Sequence, residues 1–153
     1  MALTKVQDGG LNLTSAGLPA GSVLQVVQGT STSTFQQSSN NSSQDVGLSA
    51  SITPSATSSK VFIMTSAPIV LNNTSDAIFY LVRGSSNIVP MNLFTTSTSY
   101  ISSSHNFAYL DSPSTTSSTT YKVMCEKDQN EIFYNYINEA TSIASIILME
   151  IAG

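Results

Sequence analysis

The sequence predicts an all-β protein, an antiparallel β-sandwich of jelly-roll type with about nine strands, and three observations lead to it. Apolar and polar residues alternate with period two through most of the chain, as strands with one buried face require. Gly, Pro, Asn and Ser turns separate these segments at intervals of roughly eight to fifteen residues, the spacing of sandwiches and barrels. No stripe of 3.6 period with a cap appears, and β-branched residues dominate the apolar segments.

The elements follow in order. Strands are expected at residues 22–28, 45–52, 60–66, 77–83, 87–94, 100–110, 119–125, 131–136 and 142–151. In the second, Val46, Leu48, Ala50 and Ile52 fall on one side and small or polar groups on the other, and Pro54 ends it. The last could pass for a helix, but Ile143, Ile146, Ile147 and Ile151 favour a strand on propensity. Before them, residues 1–20 read as an extended arm, with Leu3, Val6, Leu11 and Leu13 in strand-like spacing beside Gly9 and Gly10. The sandwich is expected over 21–153 and the arm is expected to anchor it to a partner's open sheet edge.

Two tracts echo one another: PSATSSKVFIM from Pro54 and PSTTSSTTYKVMC from Pro113. Proline cannot join an interior ladder, and short hydroxyl side chains bond nearby backbone, so both read as connectors delivering the chain into a new strand.

Composition restricts function. The 153 residues are 41% hydrophobic and only 9% charged, with 45 Ser and Thr, which fits one compact domain rather than a disordered chain. A net charge of -4 and five scattered cations, Lys5, Lys60, Arg83, Lys122 and Lys127, exclude a nucleic-acid surface. No apolar run is long enough for a membrane span, and the first residues lack the apolar core of a signal peptide. Cys125, alone of its kind, reads as a buried small hydrophobe. His105 is the only histidine, and nothing in the spacing singles out a catalytic triad, a metal site or a phosphate loop. Asp45, Asp76, Asp111 and Asp128 lie beside turns, where an Asp accepts backbone N–H bonds. The expectation is therefore a protein that is not an enzyme and needs no cofactor.

Several strands are apolar on both faces. In 77–83, Ile78, Tyr80 and Val82 alternate with Phe79 and Leu81; in 142–151, Ile143, Ile147, Met149 and Ile151 alternate with Ala144, Ile146 and Leu148. One face fills the core and the second needs a partner, so an oligomer interface is expected at Phe79, Leu81, Ile146 and Leu148. Tyr100, His105, Tyr134 and Tyr136 could form a sugar-binding surface through stacking and amide contacts; core and interface packing are the alternatives.

With the strands placed, GSVLQVVQ from Gly21, GLSASITP from Gly47, SSKV from Ser58, LDSPSTTS from Leu110, TYKV from Thr120 and LMEIAG from Leu148 resemble a family of tailed-phage virion proteins, tail fibres or minor structural proteins common in marine phages. The likeness runs from about Gly21 to Gly153 and includes Leu81-Val-Arg83, matching a Leu-x-Arg pattern at the central strand; it departs at 126–138, which is shorter and more aromatic. The resemblance implies a jelly roll that assembles as a homotrimer through Phe79, Leu81, Ile146 and Leu148 and is displayed on the virion, attached to other virion proteins of head or tail, with a role in host adsorption in which Tyr100, His105, Tyr134 and Tyr136 would be the receptor contacts, on a host surface glycan. A capsid decoration or cement protein is the alternative.

Overall fold

The computed structural model describes residues 18–37, 43–71, 75–95, 101–127, 132–134 and 142–153. The fold is all-β, and the described residues form ten strands: β1 (Val23–Ser31), β2 (Phe35–Gln37), β3 (Gln44–Ile52), β4 (Lys60–Leu71), β5 (Ser75–Arg83), β6 (Ser86–Thr95), β7 (Ile101–Asp111), β8 (Thr119–Lys127), β9 (Ile132–Tyr134) and β10 (Ala144–Ile151). Each of the nine expected strands is present. The tenth, β2, is three residues long and lies in a Ser/Thr tract with no alternation to reveal it.

Two antiparallel sheets pack face to face. Sheet A runs β1-β10-β4 with β7 on the other edge of β4, and β9 and β2 continue beside the far half of β4; sheet B runs β3-β8-β5-β6. Consecutive long strands therefore alternate between neighbours remote in sequence, β1 beside β10 and β3 beside β8, which is the jelly-roll order. The connections β3–β4, β5–β6 and β7–β8 lie at the end of the sandwich that also holds Leu18 and Gly153, called basal below.

Pro68 stands inside β4 without breaking it. There β4 passes on one edge from β10, whose register ends at Ser66, to β9, whose register begins at Ile69, while on its other edge Pro68 stays opposite Ser104 in the unbroken register with β7. Gly29 sets the spacing between the sheets: a Cβ on it would collide with the Ser49 carbonyl oxygen, so β1 approaches β3 closely only because that side chain is absent. In β3, Gly47 adopts a φ of 77° and donates its N–H to the Asp45 carboxylate at 2.8 Å, building the bulge at which the β3–β8 register shifts.

The inner faces form one core. Leu48, Ile52, Ile63, Ile69, Phe79, Leu81, Tyr121, Ile146 and Leu148 are its largest fully buried side chains, and Cys125 is buried among them as expected. Phe79, Leu81, Ile146 and Leu148 thus cannot be the subunit interface the sequence suggested. Alternation along a two-sided apolar strand does not say which side turns inward, and cross-strand packing turns these four in.

Candidate functional surfaces

Two buried carboxylates close the basal end of the core, each joined to one of the Pro-Ser tracts. On β10, Glu150 accepts hydrogen bonds from the Ser55 amide (2.7 Å), the Ser55 hydroxyl (2.7 Å), the Ser59 hydroxyl (2.7 Å) and the Gln25 side-chain amide (2.6 Å). Burial alone would raise its pKa; the bonds from Ser55, Gln25 and Ser59 outweigh that and hold it below the usual carboxylate value. The first tract therefore bonds a distant strand, not nearby backbone as expected.

The second tract keeps to itself: the Ser117 amide donates to the Thr115 hydroxyl at 3.1 Å and the Thr119 hydroxyl to the Ser117 carbonyl at 3.0 Å. Just before it, Asp111 on β7 receives Arg83 Nη1 at 2.8 Å and the Tyr121 hydroxyl at 2.7 Å. Burial, then the bond to Asp111, pushes the Tyr121 pKa up. Asp111 is thus held by side chains rather than by turn amides, while Asp45 follows the expectation; Asp128 and the side chain of Asp76 lie outside the described residues. The Arg83 of the Leu-x-Arg pattern serves this pair.

His105 is buried on the inner side of β7, its ring 4.7 Å from that of Phe79. Burial lowers its pKa from 6.5 to about 4, so it is neutral at physiological pH. A side chain enclosed between the sheets is not a receptor contact, and that expectation is corrected. Tyr100, Tyr136 and the side chain of Tyr134 lie outside the described residues, as do Leu3, Val6, Leu11 and Leu13. Among the described residues no three His, Cys, Asp or Glu side chains gather to hold a metal.

The outer faces of the two sheets differ. On sheet B, Lys122 pairs with Asp45 at 3.3 Å, Ser51 and Thr120 share a hydrogen bond at 2.8 Å, and the Tyr80 hydroxyl bonds Glu126. Burial first, then the Glu126 charge, raises the pKa of Tyr80. On sheet A the registers align Val26, Met149, Phe62 and Leu110 in one row across β1, β10, β4 and β7. The next row is Gln28, Ile147, Met64 and Ala108. Val26 is 58% exposed, Leu110 46% and Met64 42%. Beside Met64 and Ile147 lies a shallow depression of about 460 Å³ bordered by Ser66, Asn106, Ala108 and Ser145. Of the two strands that the sequence shows as apolar on both faces, β10 turns Ile147 and Met149 to this surface, whereas β5 turns Ile78 and Tyr80 to the outer side of sheet B.

No protein-family model matches the chain, and no curated protein matches it. Among solved structures it is similar to the infectious bursal disease virus VP2 subviral particle, at 15% identity over 84% of this chain and 33% of that one, with a TM-score of 0.47. It is also similar to the structure of infectious bursal disease virus Gx strain, at 11% identity over 84% of this chain and 37% of that one, with a TM-score of 0.46. The chain spans about a third of the length of these proteins.

Proposed function

We propose that this chain is a non-enzymatic structural protein of a tailed-phage virion, displayed as a homotrimer on the particle surface as a short fibre that takes part in host adsorption. The observation that carries the reading is the inequality of the two outer faces. On sheet B the described side chains Lys122 and Asp45, Ser51 and Thr120, and Tyr80 and Glu126 pair within the chain, while sheet A presents two uncharged, largely apolar rows to solvent, the surface of a module built to assemble. The groups that could do chemistry support the same reading, since Glu150 and Asp111 are engaged in structural hydrogen bonds and His105 is enclosed and neutral. The sequence resemblance supplies the virion. In this reading residues 1–20 attach the trimer to other virion proteins, three arms together raising the durability of modest contacts.

Mass measurement of the full chain in dilute solution should give three copies, and quantification in purified particles should give a handful of trimers. Many tens of trimers per particle would replace the fibre by a capsid decoration protein, and absence from particles would overturn both. Deleting residues 1–16 should leave a folded trimer that no longer enters particles.

A further inference from the structure

We infer that the outer face of sheet A is the seam between subunits and that its occupant is a second copy of this chain; the inference rests on the homotrimer proposed above and names its surface. Charge is the first argument. The molecule carries a net charge of -4, so two copies repel unless they meet where no carboxylate points. Sheet A has two described carboxylates, and both Glu150 and Asp111 are buried on its inner side. Its outer rows contain no charged residue at all between β1 and β7, Lys60 at the basal margin being the first. Asp45, Lys122 and Glu126 all lie on sheet B. Three such faces turned towards a three-fold axis bring the same uncharged rows of three copies together with no like charges opposed; a partner chosen by its charge would find nothing here to read.

Area is the second argument. Four strands and the seven residues from Lys60 to Ser66 make a face of roughly 19 Å by 24 Å, about 450 Å² in plan. A stable interface buries about 800 Å² on each partner, so this face, with the polar row Thr30, Ser145, Ser66 and Asn106 included as its edge, supplies a little over half of one and forms its centre. The depression beside Met64 offers a neighbouring copy's side chain a seat off the flat of the sheet.

The test places charge on exposed positions that the core does not use. The double variant Val26→Lys, Leu110→Lys should keep the β-sheet far-UV spectrum while its mass falls threefold to that of one chain. Ser51→Lys, on the outer face of sheet B, should stay assembled. Met64→Cys gives a readout independent of folding losses, because Cys125 is buried and cannot compete: mild oxidation should join copies in pairs. If the wild type is trimeric, the double variant remains so and Met64→Cys chains do not join, this seam is wrong and the trimer stands. A wild type that is monomeric overturns the trimer, and this inference with it. A monomer that associates only after residues 1–17 are removed would assign the face to the chain's own arm and likewise overturn the second copy.

Discussion

His105 makes stability depend on pH in a window whose upper part, from about 6.5 to 5, lies above the range in which the chain's carboxylates ordinarily titrate. It is the only histidine, it is enclosed against Phe79, and burial lowers its pKa from 6.5 to about 4. The unfolded chain therefore binds a proton below pH 6.5 that the folded chain refuses until about pH 4. Stability is complete above 6.5 and is lost as the pH falls through that interval. Integrating the difference gives a loss of about 2 kcal/mol by pH 5 and about 3 kcal/mol by pH 4. Glu150 does not contribute in the upper part of the window, because its depressed pKa confines its effect to pH below the ordinary carboxylate value of 4.5. The assay is urea unfolding at pH 7.5, 6 and 5 with protein concentration held fixed. The wild-type midpoint should fall by about 1 M between the extremes, for a urea dependence of about 2 kcal/mol per molar. His105→Leu, similar in volume, should flatten that slope whatever it does to stability at pH 7.5. A wild-type midpoint that is constant from pH 7.5 to 5, or a Leu variant that keeps the slope, would refute the reasoning.

Two further outcomes are expected from the buried polar groups. The Thr65 hydroxyl is buried without a hydrogen-bond partner, so Thr65→Val should raise stability by about 1 kcal/mol and the melting temperature by a few degrees; a fall would show that the hydroxyl is engaged. Glu150→Ala strands the Ser55 amide and hydroxyl, the Ser59 hydroxyl and the Gln25 amide, and should cost about 3 kcal/mol or more in chemical denaturation, with Glu150→Gln losing less because it retains the shape and one acceptor oxygen.

What could be read from the sequence was set by distance along the chain. Strand positions were legible because alternation is local, and even β9 was found although it is only three residues long. Its partner β2 was not, since Phe35, Gln36 and Gln37 follow a run of hydroxyls that carries no period. The inner side of β5 was not legible: Phe79 and Ile78 are equally apolar, and only pairing with β8 and packing against sheet A decides between them. The Glu150 cluster was invisible for the same reason, its partners Ser55 and Ser59 lying 95 and 91 residues away. His105 looked exposed among Ser102, Ser103 and Ser104, and those serines are exposed; its own burial comes from Phe79 on the opposite sheet.

The placement of β10 between β1 and β4 has a consequence for the order in which the protein can be made. Val23–Ser31 is synthesised more than a hundred residues before Ala144–Ile151, yet among the described residues β1 has no other partner in its sheet, so its pairing waits until Ala144–Ile151 has left the ribosome and entered the middle. Such non-local closure is slow, on the scale of milliseconds to seconds for sandwiches of this kind. The row of Val26, Met149, Phe62 and Leu110 draws one residue from each of four strands, and Met149 is the one that joins the outer pair. A growing chain therefore has no assembled seam to offer its neighbours on the same message. On the proposed seam, recognition between copies would become available only to molecules in which β10 is already in place, and the arrival of a single strand would act as the timing step for assembly.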